Sequence, residues 1–206
     1  MLKLKLAGAV AAAALTFAAG SAFAADYTLR VAHGNTESYH MHKAWEKFKE
    51  VVESESKGDI VVEIYANGQM GEDRELLEFV QDGTIDLNAS TVAVLAGWDT
   101  AFATSELPYM FPDRKTALSA LNGSYGEFIG ERAMDIGMLH LGWFENGFRQ
   151  VNTNVRAVHK PEDLNGIKIR TMQVDAHMAA FRHLGANPTP MAFGEVYSAL
   201  QQGVVD

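Results

Sequence analysis

Between Tyr27 and Ala89 the hydrophobic period of the chain switches repeatedly, and this restricts the possible folds more than any other feature of the 206 residues. Tyr27, Leu29 and Val31 alternate with Thr28, Arg30 and Ala32, the two-residue period of a half-buried strand. After the polar loop from His33 to Glu37, Ser38 is placed to cap a helix. Met41, Ala44, Trp45, Phe48, Val51 and Val52 then recur at helical spacing, with Lys43, Glu46, Lys47 and Glu50 on the opposite face. Lys57-Gly58-Asp59 breaks that pattern, and 60–65 is rich in β-branched residues. A helix is predicted over 72–81, with Leu76, Leu77 and Val80 inward, stopped by Asp82-Gly83 and followed by a short strand at 85–89. Strand–helix alternation of this kind predicts an α/β fold with a mainly parallel sheet.

Beyond it, Glu106 to Pro112 reads as a rigid apolar connector, 115–121 and 125–136 as helices, and 138–144 as a buried strand. From Phe148 the elements shorten. Strands are expected at 148–153 and 167–172, and helices at 175–184 and about 194–202. The change of style places a domain boundary near Asn146-Gly147, giving a first domain at 25–146 and a second at 147–206.

Residues 1–24 read as a cleaved signal peptide. Lys3 and Lys5 precede an apolar run from Leu6 to Ala19, and Ala22-Phe23-Ala24 fits the small-x-small rule with the cut after Ala24. The run is short for a membrane span of roughly 20 residues. Export to the periplasm is the expected destination. Taking 24 residues from 206 leaves 182, and losing two lysines moves the net charge from −9 to −11. Such acidity argues against nucleic acid, whose phosphates need a basic footprint, and against docking on anionic lipid. It does not forbid a buried basic pocket. With no cysteine, disulfides, thiolate nucleophiles and Cys-based metal sites are excluded.

The stretch from Gly142 to Asp206 carries the chemistry. Arg170 closes an alternating run (Ile167, Ile169 against Lys168, Arg170), and a helix is expected from Asp175. An arginine leaving a strand there can aim its guanidinium into the crevice at the carboxyl end of a sheet, where open α/β folds bind ligands. The guanidinium is always charged and offers a carboxylate two parallel N–H donors, which suits a small organic acid. Pairing with a structural acid is the alternative.

The order of GWFENGFRQVNTN, DLNGIKIRTMQ and PTPMAFGEVYSALQQGVVD, with QMGEDRELLEFVQDGTIDL and ELPYMF before them, resembles the solute-binding proteins of tripartite ATP-independent periplasmic (TRAP) transporters, of the C4-dicarboxylate-binding type. The likeness runs from Tyr27 to the last residue. It implies two α/β lobes with a ligand cleft between them, and a chain that stops about a hundred residues short of the family's length. By position, it implies that Arg170 clamps the ligand carboxylate and that Arg149 is a second cationic contact, with Gln173 a polar contact and Phe193 an aromatic wall. Across the cleft it implies Thr91 as a selectivity position and Asp73 as an acidic residue, with a polar contribution from His33 and Asn35. Other readings stand beside these. Phe193 and Tyr197 could be core, Asp73 a helix cap, Thr91 an ordinary loop hydroxyl, and Arg149 a partner of Glu145 or Asp163.

The resemblance further implies a subunit that delivers an organic acid to small and large membrane subunits driven by an ion gradient, mostly monomeric with a dimer open. It implies no catalytic residue, cofactor or metal. A binding protein for an ATP-driven importer or a sensor is the runner-up. A periplasmic enzyme is the third reading, and it has little to rest on. His33, His40 and His42 lack the i, i+4 spacing of a helical ligand pair. Gly123-Ser124-Tyr125-Gly126 lacks the nucleophile elbow, and no phosphate-binding glycine loop occurs.

Overall fold

The computed structural model describes residues 25–206, so the leader expected at 1–24 lies outside the described residues. The first half builds around β1 (Tyr27–Ala32), which lies between β2 (Ile60–Tyr65) and β3 (Leu87–Asn88) in a parallel sheet of order β2-β1-β3. Successive side chains of a strand point to opposite faces. Val31 accordingly packs with Trp45 and Val62 under α1 (His40–Glu55), whereas Ala32 packs with Leu76 and Ile85 under α2 (Asp73–Asp82). One helix therefore covers each face, the arrangement that parallel crossovers require.

The sequence expectations for α1, β2 and α2 hold to within a residue or two at most boundaries. Gly83 stops α2 in the left-handed conformation (φ 78°), which glycine adopts without steric cost. Ser38 does not cap α1. Tyr39 takes that position with no capping side chain, and the Ser38 hydroxyl pairs with that of Thr36 at 3.1 Å. The third strand is shorter than expected: the Ile85 N–H bonds back to the Phe79 carbonyl of α2 (3.2 Å), the Asp86 N–H bonds to the Arg30 carbonyl (2.9 Å), and only Leu87 and Asn88 take residue partners on β1.

Two 3₁₀ turns (Val92–Gly97 and Thr100–Glu106) lead to α3 (Arg114–Leu121) and α4 (Ser124–Asp135), as the helical patches predict. Phe102, fully buried, centres a cluster with Leu77, Val94, Ile129, Ala133 and Met138. The buried strand expected at 138–144 does not form. Met138 is buried, but Leu139 and Leu141 are 71% and 68% exposed. The strand expected at 148–153 is likewise irregular chain. The physical reason is the same in both: an apolar or alternating run becomes a strand only when a neighbour completes its backbone hydrogen bonds, and among the described residues none does.

After the 3₁₀ turn Pro161–Leu164 come β4 (Lys168–Thr171), α5 (Asp175–His183), β5 (Asn187–Pro190), a 3₁₀ turn (Phe193–Glu195) and α6 (Val196–Gln201). β4 and β5 pair in parallel with Arg170 opposite Thr189. Sequence reading missed β5, since Pro188 and Pro190 argue against a strand. The two prolines sit on alternate residues, so their missing donors fall on one side of the strand. The other side faces β4, where the Asn187 N–H donates to the Ile167 carbonyl (2.8 Å) and the Met191 N–H to that of Thr171 (3.1 Å).

Candidate functional site

A cavity of about 170 Å³ opens where the two sheets face each other. Its lining follows the carboxyl ends of four strands: Asn35 after β1, Thr91 after β3, Gln173 after β4 and Phe193 after β5, joined by Asp73 at the start of α2, Arg149 and Arg170. This is the position at which open α/β sheets present ligand-binding groups. Seven of the eight residues expected from sequence thus share one cavity; His33 does not line it.

Arg170 is anchored but has no acid hydrogen-bonded to it among the described residues. Its Nε and Nη2 donate to the Met191 carbonyl at 3.1 and 2.8 Å, folding the side chain over the end of β5. The Phe193 ring lies 6.0 Å from the guanidinium carbon, within cation–π range. Burial pulls the guanidinium below its ordinary pKa, and repulsion from Arg149 adds to this, while Asp73, Glu72 and Glu195 oppose it. A charged guanidinium in this setting is short of a counter-ion, although it remains protonated at any working pH.

Arg149 has a structural partner, but neither of the two that sequence suggested. Its Nε and Nη2 lie 3.0 and 2.9 Å from Glu106 Oε2. Glu145 instead binds Arg114 (2.6 Å), and the Asp163 carboxylate accepts from the backbone N–H groups of His159 and Lys160. On the opposite wall, Asp73 is raised above the usual carboxylate range, chiefly by burial and then by Glu72; Thr91, Ser90 and Arg170 work the other way. Asp73 stands in the first turn of α2, where Glu72 rather than Asp73 holds the capping position. A Cβ built on Gly194 would lie 2.5 Å from Glu72 Oε1, so the two walls meet closely at that point.

His33 is fully buried, with Nε2 3.1 Å from His42 Nδ1. Burial, followed by the neighbouring His42, lowers its pKa. It sits behind the Asn35 loop, and its carbonyl accepts from the Gly68 N–H at 3.2 Å. Tyr197 is neither core nor cleft wall: it is 71% exposed and lies outside the cavity lining.

Sequence reasoning missed Tyr39, Glu72, Arg74 and Asn146 in the lining. The Tyr39 hydroxyl donates to Asn146 Oδ1 at 2.5 Å, a contact between residues 107 positions apart that no local pattern announces. Arg74 is partly occupied, 5.4 Å over the Trp98 ring and 3.5 Å from Glu78. Among the described residues no group of three or more His, Cys, Asp or Glu side chains is placed to hold a metal ion, and no helix is long and apolar enough to cross a membrane.

Known proteins resemble the chain over most of its described length. The family model described as "Bacterial extracellular solute-binding protein, family 7" matches residues 31–206. A solute-binding protein of Verminephrobacter eiseniae is 37% identical over 89% of this chain and 55% of its own length. The sugar acid binding protein of Advenella mimigardefordensis, solved in complex with galactonate, superposes with a TM-score of 0.84 at 31% identity, covering 87% of this chain and 58% of that one. A TRAP periplasmic solute-binding protein of Sulfurospirillum deleyianum with bound succinate gives a TM-score of 0.85 at 29% identity, covering 89% and 59%. The chain thus spans a little over half the length of these proteins.

Proposed function

We propose that this chain, which belongs to family 7 of the bacterial extracellular solute-binding proteins, the solute-binding proteins of TRAP transporters, captures a small organic acid between its two α/β lobes. The observation that carries the reading is Arg170. It is fixed at the carboxyl end of β4 by a carbonyl rather than by an acid, faces a cavity, and is short of a counter-charge. A ligand carboxylate supplies that charge through parallel N–H donors, a stronger interaction than a neutral hydrogen bond.

Arg149 adds a second cation, Gln173 and Asn35 polar contacts, and Phe193 an apolar wall. Asp73 and Thr91 face them from the first lobe, which we bound at 25–146, with the second at 147–206. His33 supports the Asn35 loop from behind. A buried acid opposite the arginines favours a ligand that carries a carboxylate at one end and hydroxyl donors at the other over one with a carboxylate at each end. Holding both walls, such a ligand makes more contacts in a closed cleft and shifts an open–closed equilibrium by that difference in affinity. The closed form is then offered to small and large membrane subunits driven by an ion gradient. The setting is the periplasm, after removal of 1–24, and the chain acts by binding and not by catalysis.

A thermal-shift panel on the full chain tests this reading, with galactonate and succinate as the first probes and neutral sugars and amines as controls. An acid present at 100 times its dissociation constant adds about 2.7 kcal/mol of stability. Stabilisation by neutral sugars or amines alone would sink the reading.

A further inference from the structure

Glu106 closes the 3₁₀ turn Thr100–Glu106 in the first lobe, and its side chain is only 15% exposed. It does not line the cavity, yet one of its oxygens gathers three nitrogens from the second half of the chain. Oε2 lies 3.0 Å from Arg149 Nε, 2.9 Å from Arg149 Nη2 and 3.1 Å from His177 Nε2 on α5. Burial works to raise the Glu106 carboxyl, but His177 and Arg149 outweigh it and hold it below the usual carboxylate range. Glu106 is therefore an ionised acid set behind a cleft arginine.

Arg149 is 48% exposed, on an irregular segment that no sheet supports. A free arginine side chain carries about 2 kcal/mol of rotamer entropy, and ordering it at the moment of binding weakens affinity. Here the Nε–Nη2 edge is already held, and Nη1 has no acceptor among the described residues. Arg149 and Arg170 also repel each other, so a fixed negative charge behind one of them makes their proximity tolerable before any ligand arrives.

We propose that Glu106, steadied by His177, is a positioning residue: it presents Arg149 to the ligand in a preformed orientation without touching the ligand itself. This rests on the organic-acid reading of the cleft. It also makes the first residue of the Glu106–Pro112 connector a functional element rather than part of a spacer.

The test uses the full chain with Glu106→Met, which keeps the side-chain volume but removes the acceptor, and Glu106→Gln, which keeps an acceptor oxygen. Each is made with and without Arg149→Ala and titrated calorimetrically with galactonate. Glu106→Met, which loses both the acceptor and the charge, is expected to weaken galactonate about tenfold, while Glu106→Gln, which keeps the acceptor oxygen and loses only the charge, falls between it and the unaltered chain. With Arg149→Ala in place, Glu106→Met should change affinity less than about twofold, because residues in one network are non-additive. An equal loss in both backgrounds, or no loss in either, overturns the proposal. A ligand-free readout separates it from the wider reading: the Arg149 Nε–H resonance should be resolved and slow to exchange in the unaltered chain and lost in Glu106→Met. If galactonate fails to bind the unaltered chain while that resonance behaves as described, the choice of ligand is at fault. If the resonance survives Glu106→Met, the positioning role is wrong.

Discussion

Residues 27–135 and residues 146–206 contribute opposite walls of one cleft, but they hold their walls differently. The first region has three parallel strands with helices on both faces, and Phe102, Leu76, Ile85, Val31 and Val62 are all essentially inaccessible. The second has two strands and a small cluster of Met191, Ala199 and Val205 with Val196 against it, with Leu164, Ile167, Val174 and Ala186 also buried. Phe148, Val151 and Val155 lie 54%, 41% and 49% exposed beside it. The acids and hydroxyls of the site thus stand on the larger core, and the arginines on a smaller one. Arg170 compensates by bonding to a neighbouring strand end and Arg149 by bonding across to the first region. The difference shows that fixed polar anchors can orient binding groups where apolar packing is thin.

Core truncation should expose the contrast most strongly. Phe102→Ala is expected to cost about 3–5 kcal/mol of unfolding free energy. Val62→Ala and Val205→Ala make the size-matched pair, both essentially inaccessible, and the loss at Val205, in the smaller cluster, should be the lesser. Denaturant titration checks this, and equal costs for the two valines would erase the distinction between the regions.

Arg170→Ala comes next. Removing one member of a desolvated charge pair costs about 2–5 kcal/mol, so galactonate affinity should fall by at least about 30-fold while the denaturation midpoint of ligand-free protein barely moves. Arg170→Lys should recover only part of the loss, because it keeps the charge and loses the planar donors. A large stability loss without ligand would make Arg170 a structural residue.

A smaller effect is expected from His33. Its pKa is lowered in the folded chain, so the unfolded chain binds the proton more readily. Its stabilising contribution is complete above the ordinary histidine value of about 6.5 and is lost as pH falls through the lower, folded value. Denaturant midpoints followed by Trp fluorescence from pH 7.5 downward should fall in the unaltered chain and flatten in His33→Asn. The reverse slope would contradict the burial of neutral His33.

Asp73→Asn is the smallest change. Loss of a carboxyl acceptor for ligand hydroxyls should weaken galactonate about fivefold more than succinate, within the range of one hydrogen bond. Parallel titrations of the two acids measure the ratio, and an unchanged ratio removes Asp73 from the selectivity of the site.

Much of the first region was legible because its elements are local. The period of two at Tyr27–Ala32, the period of 3.6 at Met41–Val52 and the stop at Gly83 each need only a few neighbouring residues. Arg170 was legible for the same reason: the alternation of 167–170 and the helix after it fix where the strand ends. What escaped depends on distant partners. Pro188 and Pro190 argue against β5 until the side on which β4 lies is known. The runs 138–144 and 148–153 carry strand-like patterns with no strand to pair with among the described residues. Glu106 stands 43 positions from Arg149, and His33 sits in a polar string yet is buried by the fold.

The central claim is that a ligand carboxylate completes the charge of Arg170 inside the cleft between the two regions. A crystal structure of the full chain grown with galactonate tests it most directly. The account predicts a carboxylate oxygen about 2.7–2.9 Å from an Arg170 nitrogen, with Met191 still accepting from the same guanidinium and ligand hydroxyls turned toward Asp73. A carboxylate bound elsewhere, or an Arg170 that has swung away to pair with a protein acid, would contradict it.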